Sequence, residues 1–140
     1  MKKAFSVLEL IFVLTIISIV AIVSMPKILT ILDSSKLIKI KSDISLIRAG
    51  INRVTTKYIL KNDGSVLNTL DTDEKLLFNK VLKTPIVQNT THSIGNWEKL
   101  SNTSYKVWLN STQSLTFIYD VDTHSFDCDK DEDRCIEFSQ

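Results

Sequence analysis

The chain has 140 residues, which is enough for one domain and too few for two of ordinary size. Hydrophobic residues make up 44% and charged residues 24%, and the formal net charge of +1 excludes a general electrostatic attraction to nucleic acid or to anionic membranes. These averages combine two different parts, because almost all the charge follows Pro26. We therefore expect an apolar N-terminal rod and a polar C-terminal body.

The first predicted element is an apolar run in which Glu9 is the one ionisable side chain between Ala4 and Met25. The run is about 20 residues long and predicts a helix of roughly 30 Å, the thickness of a bilayer core. Lys2 and Lys3 precede it, and the positive-inside rule then places the N-terminus in the cytoplasm. The pattern predicts a single-pass inner-membrane protein with a periplasmic or extracellular body.

Glu9 separates three interpretations of this run. A cleaved secretory signal peptide would not carry a carboxylate in its apolar core, and no small-x-small cleavage pattern ends the run. A plain membrane anchor leaves Glu9 unexplained, because a lone acid within a membrane costs about 2.5–3.5 kcal/mol. The third interpretation gives this carboxylate a partner, and it depends on the residues around Glu9.

Residues 2–11, Lys-Lys-Ala-Phe-Ser-Val-Leu-Glu-Leu-Ile, resemble the prepilin signature of type IV pilins and type II secretion pseudopilins. The resemblance implies cleavage after Ala4 and N-methylation of the new terminus at Phe5. It gives Glu9 a role in assembly, because its carboxylate can meet the Phe5 amine of a neighbouring subunit. It also implies a helix kink at Pro26. Ala4 departs from the family, which usually has glycine before the cut.

The fold implied by this resemblance is α+β and pilin-like. A long N-terminal helix, membrane-spanning in its first half and amphipathic in its second, packs on a small antiparallel β-sheet. Residues 1–4 would be a leader peptide and residues 5–25 a transmembrane and assembly helix. Residues 26–140 would form a periplasmic globular domain, with a helix at 27–62 and the sheet at about 104–138.

The implied function is that of a structural subunit, a pseudopilin or minor pilin, in a filament that serves protein secretion or DNA uptake. The implied partners are other pilin or pseudopilin subunits, a prepilin peptidase, an inner-membrane assembly platform and membrane lipid, with no direct indication of nucleic acid. We predict no catalytic site, because the sequence has no phosphate-loop or nucleophile motif and His92 and His124 are isolated. The alternative is an uncleaved, membrane-anchored periplasmic binding or enzymatic domain.

The body begins with an amphipathic helix that is predicted to end at Asn62-Asp63-Gly64. Its apolar stripe recurs every three or four residues, at Leu37, Ile40, Ile44, Ile47, Ile51, Val54 and Tyr58. A short second helix is predicted at 72–83, followed by a loop over 85–102. Alternation with a period of two then predicts a hairpin of strands within 105–121 and a third strand at about 125–128.

The C-terminal segment holds Cys128 and Cys135 in an acidic loop. In an exported body they predict a disulfide worth about 2–3 kcal/mol in the chain-entropy model, and the alternative is two thiols in a cytosolic domain. The loop also carries four alternating aspartates, Asp127, Asp129, Asp131 and Asp133. Their oxygens suit calcium, the one cofactor predicted, but the EF-hand glycine and closing glutamate are missing. The alternative is a solvated acidic turn.

Overall fold

The computed structural model describes residues 6–62, 64–132 and 134–138, and for residues 23–33 it describes the backbone alone. The chain forms two compact units that divide between Ser35 and Lys36. The elements within the described residues are, in chain order, α1 (Val7–Lys61), β1 (Leu76–Leu77), β2 (Ile86–Val87), β3 (Trp97–Lys99), β4 (Ser104–Trp108), β5 (Ser114–Tyr119), β6 (Phe126–Cys128) and a terminal 3-10 helix (Cys135–Phe138).

The first unit contains the N-terminal part of α1, whose side chains are described over residues 7–22 and are exposed. In the part of the chain that the structure describes, no helical segment has the length and apolar character that a membrane crossing requires. The predicted fold class, which included a membrane-spanning half, and the predicted single-pass inner-membrane localisation are therefore wrong. The structure supports an α+β chain.

The second unit is organised by the C-terminal part of α1. Ile40, Ile44, Ile47 and Ile51 recur on one side of this helix and are at most 2% exposed, because they pack against the sheet and the segment that precedes it. The helix ends where Asn62 adopts a φ of 50° and donates its N–H to the Ile59 carbonyl oxygen at 3.1 Å. Asparagine tolerates this left-handed conformation better than most residues do, and such a conformation is common where a helix ends.

The main sheet is antiparallel with the strand order β3-β4-β5-β6, and β1 pairs with β2 separately. The predicted hairpin is confirmed as β4 and β5, in which Tyr105 lies opposite Phe117 and Val107 opposite Leu115. Residues two apart on a strand share a face, so these side chains point to the same side and bury against α1. Phe126 of β6 joins them, and its ring stacks on that of Phe117 at 5.3 Å between centroids.

The helix predicted at 72–83 is wrong. Leu76–Leu77 forms β1, paired with β2, and the next residue, Phe78, has a φ of 60°, which no α-helix accommodates. Phe78 and Val81 are at most 1% exposed, so burying this turn in the core overrides the local helix preference. The loop predicted at 85–102 is interrupted by β2 and β3.

Gly50 lies on α1 beside the backbone of the segment after β1. A Cβ at this position would come within 2.4 Å of the Val81 carbonyl oxygen. We predict that Gly50→Ala destabilises the chain by about 1–3 kcal/mol, although alanine is the better helix former. Urea unfolding followed by circular dichroism measures this difference, with Ser45→Ala on the exposed face as the control. A Gly50→Ala variant as stable as the wild type would contradict the observed packing.

Candidate functional site

The first candidate site is the surface of α1 over residues 7–22, called here the N-terminal apolar surface. Its large apolar side chains are between 43% and 79% exposed, and they are Val7, Leu8, Leu10, Ile11, Phe12, Val13, Leu14, Ile16, Ile17, Ile19, Val20 and Ile22. Successive residues turn by about 100°, so these positions surround the helix rather than forming one stripe. Continuous apolar exposure on this scale marks an interaction surface.

The hydroxyl groups on this surface are satisfied by the helix itself. Thr15 Oγ1 donates to the Phe12 carbonyl oxygen at 2.8 Å, and Ser18 Oγ donates to the Leu14 carbonyl oxygen at 2.7 Å. Both groups can therefore enter apolar surroundings with their hydrogen bonds made. Glu9 is different, because its carboxylate is exposed and no ion pair reaches it from any residue that the structure describes.

The predicted processing and assembly residues can be located only in part. Ala4 and Phe5 lie outside the described residues. Glu9 lies in the first turn of α1, where a carboxylate interacts favourably with the positive end of the helix dipole. Pro26 lies within α1, among the residues whose backbone alone is described, and the kink predicted there stays a prediction.

The acidic loop is closed by a disulfide between Cys128 and Cys135, whose Cα atoms are 5.7 Å apart. Of the four aspartates, Asp127 pairs with Arg48 at 2.9 Å and Asp129 Oδ1 accepts the Asp131 backbone N–H at 3.2 Å. Asp133 lies outside the described residues. Within the described ones, no group of three or more His, Cys, Asp or Glu side chains could hold a metal ion. Calcium binding stays a prediction that the structure does not test.

The C-terminal segment is attached to α1 by two cationic side chains that the sequence did not single out. Arg48 Nε donates to the Phe126 carbonyl oxygen at 2.9 Å, in addition to its ion pair with Asp127. Lys41 Nζ lies 5.4 Å from the centroid of the Phe138 ring, a cation–π arrangement. Lys41 and Arg48 are seven residues apart, a spacing that places both on one flank of a helix. This spacing is the feature of the sequence that could have identified them as a pair.

The other flank of α1 borders a groove of about 390 Å³, called here the body groove. The helix contributes Leu46, Ala49, Gly50 and Arg53, and the segment after β1 contributes residues 81–84. Leu46 is 56% exposed, so the groove offers apolar surface to a partner. Arg53 donates to the Val81 carbonyl oxygen at 2.8 Å and so holds the two walls together.

Asp43 also lines the body groove, and its carboxylate faces the core as well as the groove. Asp43 Oδ2 accepts the indole N–H of Trp97 at 3.3 Å. Burial raises the pKa of Asp43 above its ordinary value, while the charge of Lys39 and the Trp97 hydrogen bond lower it in part. Asp43 therefore fixes Trp97 under the helix and contributes one negative charge to the groove.

Asp71 is a buried polar group of the core, at 3% exposure. Its carboxylate accepts from Lys99 Nζ at 2.6 Å and from the Tyr105 hydroxyl at 2.7 Å. Burial, followed by the hydrogen bond to Asp71 and the charge of Asp71, raises the pKa of Tyr105 far above its ordinary value, so the hydroxyl stays a donor. The cluster joins the segment before β1 to strands β3 and β4 and has the arrangement of a structural ion pair.

The two histidines contact aromatic side chains. His92 stacks on Trp108, with 3.7 Å between ring centroids. The Tyr119 hydroxyl donates to the Leu67 carbonyl oxygen at 2.8 Å, so its oxygen accepts from His124 Nδ1 at 3.0 Å. This geometry requires the proton of His124 to be on Nδ1. Each histidine thus packs a loop against the sheet.

Comparisons of the chain with protein-family models, with curated proteins and with solved structures find no match.

The Asp71 cluster generates a prediction about stability. Lys99→Met keeps most of the side-chain volume but leaves the Asp71 carboxylate buried without its cation, which should destabilise the chain by about 3 kcal/mol. Thermal and urea unfolding of the variant and of Lys75→Met, which removes an exposed lysine, measure the effect. Equal stability of the two variants would show that the buried pair contributes nothing beyond a surface charge.

Proposed function

We propose that this chain is a structural subunit, a pseudopilin or minor pilin, of a type IV pilus-like or type II secretion-like filament. It assembles with other such subunits through the N-terminal apolar surface, after a prepilin peptidase has removed residues 1–4. The observation that carries the proposal is the exposure of apolar side chains all around α1 over residues 7–22.

The energetics of this surface favour burial against several neighbours. Burying one Val, Leu, Ile or Phe side chain contributes about 1.5–3 kcal/mol, whereas association costs roughly 4–15 kcal/mol. A few such side chains therefore offset the cost of one contact. A helix that is apolar on all sides buries its whole circumference only when surrounded, so a bundle of like helices suits it better than a single partner helix.

Glu9 gives such a bundle its register. A carboxylate surrounded by apolar side chains is costly unless a cation meets it. After cleavage, the α-amine of Phe5 supplies that cation on a neighbouring subunit. The pairing stabilises one axial stagger between subunits and destabilises the others, because sliding by a turn leaves both charges unpaired. This assembly is compatible with a role in protein secretion and with a role in DNA uptake.

The processing step is tested by the mature N-terminus. We expect intact-mass measurement and N-terminal sequencing, after co-expression with a prepilin peptidase, to show loss of residues 1–4 and Phe5 as the first residue. An Ala4→Gly variant, which restores the usual family residue, should be cleaved at least as completely. If the wild-type chain and the Ala4→Gly variant both keep Met1, the proposal is contradicted.

The assembly step is tested at Glu9. In cells that also make wild-type subunits, we expect Glu9→Ala to enter sheared filaments at least about tenfold less than wild type, because the buried amine loses its counter-charge. Ser18→Ala is the matched control, since it removes a hydroxyl that bonds only within its own helix. Quantitative immunoblotting of the filament fraction measures both. Equal incorporation of the two variants would contradict the role of Glu9.

A further inference from the structure

The body groove has a positive rim. Residues 36–61 hold seven Lys or Arg side chains and one carboxylate, Asp43. Lys41 and Arg48 are engaged by the C-terminal segment of their own chain. Arg53 and Lys83 line the groove from its two walls. Lys39 and Lys57 lie on the same flank of the helix as Arg53, by their spacing at about 100° per residue.

The C-terminal segment has the complementary character. Residues 127–137 hold six carboxylates and two cations, so the segment is strongly acidic. The terminal 3-10 helix buries Cys135 and Phe138 and leaves Ile136 between them 80% exposed. We call Ile136, Asp131 and Glu137 the C-terminal knob, in which the Glu137 carboxylate also pairs with Arg134 at 2.9 Å. An exposed isoleucine in an acidic segment is complementary to a groove that offers the apolar Leu46 beside the cations of Arg53 and Lys83.

The two surfaces cannot meet within one chain. Lys41 and Arg48, which attach the C-terminal segment, lie roughly 140° around the helix axis from the centre of the groove residues of α1, at about 100° per residue. A contact between complementary surfaces on opposite flanks of a subunit is heterologous, and it builds an open filament unless its rotation closes a ring. This symmetry is compatible with a filament.

We propose that the body groove receives the C-terminal knob of a second copy of this chain, with Ile136 inserted against Leu46 and the carboxylates facing Arg53, Lys57 and Lys83. The inference deepens the proposed function, on which it rests, by naming a body-to-body contact besides the N-terminal helix. A second copy fits better than nucleic acid, because the acidic segment attached to the same helix would repel phosphates while it attracts this flank.

Thiol cross-linking of the purified full-length chain tests the contact. Two single variants, Leu46→Cys and Ile136→Cys, are mixed in mild detergent and oxidised with copper–phenanthroline. The detergent covers the N-terminal apolar surface, so cross-links report on the bodies. We expect a mixed disulfide dimer that neither variant gives alone. Leu100→Cys, on an exposed apolar position away from the groove, replaces Leu46→Cys in the control mixture and should give none.

Charge reversal is the second test of this contact. Adding Lys83→Glu to the Leu46→Cys chain should lower the yield of mixed dimer about fivefold at low salt, and adding Asp131→Lys to the Ile136→Cys chain should restore it. Mass spectrometry identifies the linked peptides. Failure to restore the yield would overturn the charge pairing, and absence of the mixed dimer would overturn the contact.

A short DNA duplex tests whether nucleic acid, rather than a second copy of the chain, binds the basic flank. If a short duplex bound the chain in a gel-shift assay and abolished the mixed dimer at equal salt, the basic flank would be a nucleic-acid surface and the inference would be overturned. We expect no retained duplex. A mixed dimer from a chain that is never processed or assembled would leave the body contact standing and remove the proposed function, so the two claims fail separately.

Discussion

The packing of one aliphatic helix side against an aromatic sheet face holds the second unit together. Ile40, Ile44 and Ile47 of α1 form one buried cluster with Trp97 and Phe117, and all five are at most 2% exposed. Because this side of α1 is committed to the core, its two flanks are left for other uses. One flank holds the C-terminal segment through Arg48, and the other borders the body groove.

This division of the helix connects the fold to the proposed function. The N-terminal part of α1 exposes apolar side chains in all directions, whereas the part from Lys36 onward buries one side and presents cations on another. A subunit built in this way would offer a sequence-tolerant hydrophobic contact in its first unit and a more specific charged contact in its second. Register in a filament would then depend on Glu9 in the first unit and on the groove and knob in the second.

The sequence predicts features that depend on periodicity. The stripe from Ile40 to Ile51 and the hairpin of Tyr105 and Phe117 follow from periods of 3.6 and two. The turn at Phe78 could not be predicted, because a core that accepts its ring outweighs a local helix preference. Pairings distant in sequence, such as Arg48 with Asp127 and Asp71 with Lys99, were also beyond reach, since charge patterns do not specify partners. The membrane-spanning segment was inferred instead from the length of the apolar run, and it is wrong, because no helical segment among the described residues has the length and apolar character for a membrane crossing.

The central claim is that the processed chain polymerises through the N-terminal apolar surface. Immunogold electron microscopy of cells that make the chain with a prepilin peptidase and an assembly machinery tests it most directly. The account predicts labelled filaments from the wild type and none from a Leu14→Asp and Ile17→Asp double variant, which places charges on that surface. Processed, folded wild-type chain that never appears in a filament, or labelled filaments from the double variant, would contradict it.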